Sequence, residues 1–194
     1  MKNQPIQDNY DVVIVGSGPS GIFSAYEIKK NDPSARVLMI EKGHSIEKRK
    51  CPKRKTGLCA KCSPCNITTG FSGGGSFSDG KLSINDQGEI GGDLAHYIGL
   101  DKFRQILRYT DELYVQFGAD GKVYGDDHNP AVESIHRSAA QAHLKLIDSR
   151  VRHMGTEKAY DIYSRIQEEL EGMDIDMLFD TPVDDFRIET LPGG

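Results

Sequence analysis

A glycine-rich turn near the N-terminus carries the clearest chemical signature in the chain. It reads Gly16-Ser17-Gly18-Pro19-Ser20-Gly21 and has the spacing GxGxxG. In turns of this type the first glycine allows a sharp change of direction, the second leaves room for a pyrophosphate, and the third lets a helix pack closely on a strand. Free amides and the positive end of the helix dipole then face the phosphates. The spacing predicts that these six residues bind a dinucleotide.

Glu41 is the second part of this predicted site. It lies twenty residues after Gly21, at the end of the apolar stretch Arg36–Ile40. A carboxylate at this place can accept hydrogen bonds from an adenosine ribose, and it would repel a 2′-phosphate, which favours FAD or NAD over NADP. Lys42 and Gly43 follow as a turn, and Lys42 is expected to contact the cofactor.

Short apolar stretches on either side of the glycine-rich turn must position it. Asp11–Val15 is rich in β-branched residues and predicts a buried strand. Apolar residues at helical spacing follow from Ile22 to Ile28, and Asn31-Asp32-Pro33 ends that helix before the second strand. The order is that of a βαβ unit. The predicted fold class is therefore α/β, with a partial Rossmann-like fold around a parallel sheet.

A second glycine-rich segment, from Gly70 to Lys81, follows the βαβ unit. Gly74 and Gly75 would let the backbone approach a flat or charged ligand. The polar side chains of Ser76, Ser78 and Asp79 could form hydrogen bonds with it, and Lys81 could stabilise negative charge on a reduced flavin ring. A flexible surface loop is the alternative, but the neighbouring dinucleotide turn favours ligand contact.

All four cysteines lie within fifteen residues, at Cys51, Cys59, Cys62 and Cys65. Four thiolates this close in sequence suit a 4Fe–4S cluster or a tetrahedral zinc ion, and the spacing does not decide between them. The surrounding Lys and Arg residues would lower the pKa values of the thiols. A redox-active dithiol and unrelated free thiols stay open as alternatives. The prediction is a metal or cluster site in an insertion at about 47–66.

Composition limits the possible classes of protein. The chain has 194 residues, 37% of them apolar, and a net charge of −5. It has no apolar run of the roughly 20 residues needed to span a membrane, and its polar start lacks a signal-peptide core. The segment His44–Cys62 is basic but interleaved with cysteines, so local charge compensation is favoured over nucleic-acid binding. We expect a globular, cytoplasmic protein with no membrane or nucleic-acid partner.

The second half of the chain is mostly helical by its apolar spacing. The periodicity predicts helices from about Asp101 to Phe117, from Ala131 to Ile147 and from Thr156 to a stop at Gly172. It also predicts strands at Asp174–Phe179 and Val183–Ile188. The predicted domains are 1–92, the N-terminal part of a cofactor domain, and 93–194, a helical segment leading into an incomplete second domain.

Arg150, Arg152 and His153 lie together before the third helix. They could bind an anionic substrate, or His153 could shuttle a proton. A structural loop before a capped helix is the simpler interpretation.

With these residues in view, the chain resembles FAD-dependent oxidoreductases with two dinucleotide-binding segments. More narrowly, it looks like the bacterial and archaeal "NAD(FAD)-utilizing" FAD-dependent dehydrogenases. Four motifs carry the resemblance: DVVIVGSGPSG at Asp11–Gly21, EKG at Glu41–Gly43, GGGSFSDGKL at Gly73–Leu82 and RHMGTE at Arg152–Glu157. The cysteine-rich insertion also resembles one branch of that family.

The resemblance implies a flavoprotein oxidoreductase with FAD bound in an extended form. Its ADP end would lie on the glycine-rich turn and Glu41, and its isoalloxazine ring near Gly73–Lys81. NAD is an expected electron donor or acceptor, and the partner would be a small-molecule substrate or a redox protein. Such proteins are longer, so the chain is expected to be an N-terminal portion. A zinc-stabilised binding module and an NAD-binding dehydrogenase fragment are the alternatives, and no catalytic residue is assigned.

Overall fold

The computed structural model describes residues 6–77, 80–85, 93–125, 130–147 and 149–189. The chain divides into two compact units. The N-terminal unit comprises Met1–Phe77 and Tyr163–Gly194, and the middle unit comprises Ser78–Ile162. The division into domains 1–92 and 93–194 stays a prediction.

Twelve helices and strands are defined in the described residues. In chain order they are β1 (Val12–Val15), α1 (Pro19–Asn31), β2 (Val37–Ile40), α2 (Lys53–Thr56), β3 (Lys81–Ser83), α3 (Leu94–Ile98), α4 (Leu100–Gln116), β4 (Val123–Tyr124), α5 (Pro130–Gln141), β5 (Val151–His153), α6 (Thr156–Gly172) and β6 (Ile175–Leu178). Short 3-10 helices span Ile46–Lys48 and Gly75–Phe77.

A three-stranded parallel sheet in the order β1-β2-β6 organises the N-terminal unit. Helix α1 connects β1 to β2 and buries Ile22 and Ala25, while Val37 and Met39 of β2 are also buried. In the last turn of α1, Lys29 donates hydrogen bonds from Nζ to the carbonyl oxygens of residues 33 and 35, at 2.7 and 3.0 Å. The predicted α/β fold with a βαβ unit is confirmed.

Strand β1 lies at an edge of this sheet in the described part of the chain, where it pairs with β2 alone. Its alternate side chains Val13 and Val15 are 51% and 65% exposed. Strands of parallel sheets are usually buried on both faces. The exposed face of β1 is therefore an apolar surface directly beside the glycine-rich turn.

Strand β6 confirms one of the two strands predicted near the C-terminus, but it pairs with β2 in the sheet of the N-terminal unit. The sequence had placed it in the segment 93–194. The strand predicted at Val183–Ile188 is wrong, because residues 181–189 form no strand. The apolar side chains that suggested it, Phe186 and Ile188, are 77% and 88% exposed. In the described residues, the segment 181–189 pairs with neither sheet, so its alternating apolar residues form no strand.

The middle unit contains a three-stranded antiparallel sheet in the order β3-β5-β4. Helix α4 is amphipathic and buries Phe103, Leu113 and Tyr114. Its bounds agree with the helix predicted from about Asp101 to Phe117. The strands are short. Strand β3 pairs with β5 over three residues, and β4 pairs with β5 over two.

Helix α5 ends six residues before the predicted position, Ile147. The backbone of His143 adopts a left-handed conformation with φ +57°. The amide of Leu144 then donates a 2.8 Å hydrogen bond back to the carbonyl oxygen of Ala139. This arrangement closes a helix end, but glycine is the residue that usually signals it. The sequence has no glycine there, so it contains no signal for the end of the helix.

In the described part of the chain, no helix combines the length and the apolar character that crossing a bilayer requires.

Candidate nucleotide-binding site

The glycine-rich turn joins the end of β1 to the start of α1, as predicted. Gly16 has φ +96°. Glycine adopts this conformation readily because it has no Cβ atom, and the chain can therefore turn sharply there. Its amide donates a 2.7 Å hydrogen bond to the carbonyl oxygen of Ile40 at the end of β2. Pro19 and Ser20 begin the helix and are exposed, and proline at this position costs the helix no hydrogen bond.

The glycines at 18 and 21 are present for different reasons. A Cβ atom at Gly21 would lie 2.1 Å from the carbonyl oxygen of Gly16 and 3.2 Å from Cγ2 of Ile14, so packing within the protein requires glycine there. A Cβ atom at Gly18 would meet nothing within 4 Å. Gly18 also has an ordinary φ of −70°. Neither conformation nor packing therefore requires glycine at 18, and the space above it is open.

Glu41 lies at the centre of the turn's hydrogen bonds. Its Oε2 accepts from the amide and the hydroxyl of Ser17, both at 2.9 Å. Its Oε1 accepts from the amides of Gly43 at 2.8 Å and Gly70 at 3.1 Å. Two acceptor positions on each oxygen are thus occupied, which is the usual capacity of a carboxylate. Glu41 is only 6% exposed, and its hydrogen bonds join the glycine-rich turn, the residues after β2 and the second glycine-rich segment.

Two opposing effects act on the pKa of Glu41. Burial of the carboxylate raises the pKa, but the hydrogen bonds from Ser17, Gly43 and Gly70 together outweigh burial, and the net pKa lies below the ordinary value. The group is therefore charged at neutral pH. Its predicted contact with a ribose stays a prediction.

The second glycine-rich segment lies directly against the first. The amide of Ser72 donates a 2.7 Å hydrogen bond to the carbonyl oxygen of Ser17. A Cβ atom at Gly73 would lie 3.6 Å from the Cα of Gly18. The structure thus places two segments that the sequence had identified separately on one surface, around the open space at Gly18.

The remaining predicted contact residues differ in position. Gly74 is exposed with open space around it, whereas a Cβ atom at Gly75 would lie 2.9 Å from the hydroxyl oxygen of Tyr163, which explains glycine there without a ligand. Lys42 is exposed on the turn after β2, and Lys81 is exposed on β3 of the middle unit. Ser78, Asp79 and the side chain of Ser76 lie outside the described residues. The assignment of these residues to a cofactor stays a prediction.

Arg49 is a site residue that sequence reasoning missed. It is 2% exposed. Its guanidinium donates to the carbonyl oxygens of Asn66 at 3.0 Å, Ile67 at 2.8 Å and Phe71 at 2.6 Å, and to Oγ of Ser72 at 3.2 Å. Burial lowers the pKa of Arg49 to about 10, against the opposing influence of the negative charges of nearby acidic groups. In the sequence, Arg49 stands within a run of basic residues, and nothing in that run marks it as buried.

The four cysteines do not form a metal site in this structure. Cys51 is half-buried, and Cys59, Cys62 and Cys65 are exposed free thiols. Among the described residues, no group of three or more His, Cys, Asp or Glu side chains is placed to hold a metal ion. Amide hydrogen bonds from the residues just after it lower the pKa of Cys65. The arrangement in this structure therefore gives no support to the predicted iron–sulfur or zinc ligation, which stays a prediction.

Comparisons with known proteins give short and partial likenesses. No protein-family model matches the chain. A digeranylgeranylglycerophospholipid reductase from Methanococcus vannielii is 46% identical over 41 residues, which are 21% of this chain and 10% of that protein. Two of the solved structures that are similar to this chain each cover most of it. They are THI4 from Thermovibrio ammonificans (15% identity, TM-score 0.36, 88% of this chain and 38% of that one) and an L-amino acid deaminase from Proteus vulgaris (13% identity, TM-score 0.41, 91% and 41%).

The extent of these matches is small relative to the proteins matched. The similarity to the reductase spans about a tenth of that protein's length, and the chain spans about two fifths of each solved structure. The short match to a reductase agrees with the resemblance to FAD-dependent oxidoreductases that the motifs indicate.

Proposed function

We propose that this chain provides the ADP-binding turn of an FAD-dependent dehydrogenase whose substrate is unassigned. The open space at Gly18 is the observation that carries the proposal. A methyl group at residue 18 would touch no protein atom within 4 Å, so at the start of α1 there is room for a group from outside the chain to lie against the backbone. A pyrophosphate lying on the turn is the group that needs this clearance.

The start of α1 supplies the favourable electrostatics for that pyrophosphate. The amides at the beginning of a helix have no partners within the helix, and the helix dipole adds positive potential there. In the first turn of α1, from Pro19 to Ile22, there is no acidic side chain to oppose an anion. The exposed hydroxyl of Ser20 adds a donor at the same surface.

Glu41 can serve the ribose while it still holds the loops. Three of its four hydrogen-bond donors are backbone amides, which cannot rotate away. The fourth is the hydroxyl of Ser17, which can turn and leave one acceptor position on Oε2. A ribose hydroxyl would take that position. Such an exchange would allow the predicted contact and leave the three hydrogen bonds from backbone amides in place.

The bound FAD would supply the hydride-accepting ring, and the protein would supply binding and orientation. The glycine-rich loop from Gly70 to Gly74 is held by backbone hydrogen bonds, so it offers a rigid surface rather than a mobile one. Gly73 and Gly74 leave this surface free of side chains beside the turn. A flat ring system or its ribityl chain could therefore pass close to the backbone.

The proposal is tested by titrating FAD into the purified protein and following the quenching of flavin fluorescence. We expect Gly18→Ala to weaken FAD binding by about tenfold or more, or about 1.4 kcal/mol, with an unchanged melting temperature. ADP should compete with FAD. Gly172→Ala is the matched control, because a Cβ atom there also meets nothing within 4 Å, and it should leave the affinity unchanged.

Two results would overturn the proposal. One is that Gly18→Ala binds FAD as tightly as the unmodified protein. The other is that the protein takes up NAD but not FAD, which would assign the turn to a nicotinamide cofactor instead.

A further inference from the structure

The middle unit contains a cavity of about 240 Å³ lined by three arginines. Arg104 and Arg108 come from α4, and Arg150 comes from the residue before β5. Ile84 and Leu107 are among the apolar side chains of its wall. The lining thus combines several cations with an apolar surface, in a space large enough for a small molecule.

The backbone fixes the positions of these arginines. Arg104, Arg108 and Asp111 recur on α4 at spacings of four and three residues, which places them on one face of the helix. The carbonyl oxygen of Arg150 accepts a 2.9 Å hydrogen bond from the amide of Ile84, which continues the pairing of β3 with β5. The three guanidinium groups therefore approach the cavity from a helix and from the sheet.

The acid in the lining is already engaged. Asp111 accepts hydrogen bonds from Nε of Arg152 at 2.5 Å and from its terminal nitrogen at 2.6 Å. Arg152 is buried, so this bidentate pair is held in place. Among the described lining residues, three cations then face a single carboxylate whose charge is compensated by Arg152. Arg104 and Arg150 each make another interaction within the protein, but a guanidinium has several N–H donors and can bind an additional acceptor.

We propose that this cavity binds a small organic anion through Arg104, Arg108 and Arg150, with its short apolar part against Ile84 and Leu107. Guanidinium groups bind the oxygens of carboxylates and phosphates in a planar, often bidentate way. Like charges gathered around a cavity repel one another, and a bound oxyanion relieves that repulsion. The proposal concerns the middle unit alone and stands independently of the flavin assignment.

The structure also divides the basic cluster predicted from the sequence. Arg150 lines the cavity. Arg152 forms a salt bridge with Asp111 and has a structural role. His153 is exposed, with its ring 6.4 Å from that of Tyr124 in an edge-to-face contact. Only one of the three predicted candidates thus belongs to the proposed anion site.

The test is isothermal titration calorimetry of the purified protein with succinate and, separately, with inorganic phosphate. Ionic strength is held constant with sodium chloride, because salt screens such interactions. We expect saturable binding of at least one anion, weakened by about tenfold or more in Arg108→Gln. Arg108 is exposed, so this change should leave the fold intact, and circular dichroism checks that it does.

Arg137→Gln is the matched control, because Arg137 is an exposed residue of α5 outside the cavity lining and its loss removes the same charge. It should leave the anion affinity unchanged. Binding of succinate alone assigns the site to carboxylates, and binding of phosphate alone assigns it to phosphate esters. Binding of neither anion, or an equal loss of affinity in Arg108→Gln and Arg137→Gln, would overturn the proposal.

Discussion

Replacing Glu41 by glutamine changes one oxygen to an NH2 group and removes a buried charge. The carboxylate accepts from the amides of Ser17, Gly43 and Gly70 and from the hydroxyl of Ser17. Glutamine can accept hydrogen bonds with only one of its two terminal atoms. At least one buried amide must therefore lose its acceptor, whichever way the side-chain amide is turned.

The magnitude follows from the less damaging orientation. If the NH2 group faces Ser17, the serine hydroxyl can rotate to accept from it, and only the Ser17 amide is left without an acceptor. If the NH2 group faces the other way, the amides of Gly43 and Gly70 both lose theirs. A buried unsatisfied donor costs about 1–3 kcal/mol, and the remaining hydrogen bonds lose their ionic character. We expect Glu41→Gln to lower the free energy of unfolding by about 2–4 kcal/mol at neutral pH.

The deficit should depend on pH in a defined direction. The native-state pKa of Glu41 is lowered from an ordinary value of 4.5. A carboxyl with a lowered native pKa stabilises the native state at pH values above its unfolded pKa, and this contribution is lost as the pH falls through the native pKa. Glutamine does not titrate. The difference in stability between the two proteins should therefore be largest at neutral pH and should shrink as the pH falls below 4.5.

Two measurements check this expectation. Urea unfolding followed by circular dichroism gives the free energy of unfolding at each pH. Hydrogen exchange reports the protection of the amides of Ser17, Gly43 and Gly70 directly. Glu168→Gln, on an exposed position of α6, is the control and should change stability by less than about 0.5 kcal/mol. The reasoning is refuted if Glu41→Gln keeps these amides protected, or if its deficit is the same at neutral and acid pH.

Three further substitutions test other parts of the structure. Gly21→Ala puts a Cβ atom 2.1 Å from the carbonyl oxygen of Gly16, so we expect a loss of about 1–3 kcal/mol or more in stability; an unchanged melting temperature would contradict this. Arg49→Lys cannot reproduce the hydrogen bonds to three carbonyl oxygens and should cost about 2–4 kcal/mol. Limited proteolysis should then cut the cysteine-rich segment faster, and equal rates would argue against an anchoring role. Asp111→Asn loses the bidentate pair with Arg152 and should cost about 1–3 kcal/mol by urea unfolding, whereas full stability would show that the pair is dispensable.

The parts of the fold that depend on neighbouring residues could be predicted from the sequence. The β-branched run before Gly16 and the proline at 19 mark the end of a strand and the start of a helix within a few residues of one another. The amphipathic pattern of α4 is equally local, and its bounds were predicted to within a residue. Signals of this kind are contained in short windows of sequence, so a single chain is enough to find them.

The parts that depend on distant residues could not be predicted. The pairing of β6 with β2 joins segments more than a hundred residues apart, and no local pattern encodes the partner of a strand. The burial of Arg49 could not be predicted for the same reason, because its hydrogen-bond partners are carbonyl groups from residues 66 to 71. The cysteine spacing allowed a metal site, but the spacing of ligands says nothing about whether a loop brings the four thiols together.

The two buried charges near the glycine-rich turn have complementary tasks that explain why they are present at all. An isolated buried charge is costly, but irregular loops leave backbone groups that regular secondary structure would have satisfied. Glu41 accepts from three backbone amides, and Arg49 donates to three backbone carbonyls. Both side chains meet at Gly70, where a Cβ atom would lie 2.7 Å from Cδ of Arg49. The carboxylate of Glu41 satisfies backbone donors, and the guanidinium of Arg49 satisfies backbone acceptors. Loops without regular secondary structure are thereby held in place where a ligand would need them to be rigid.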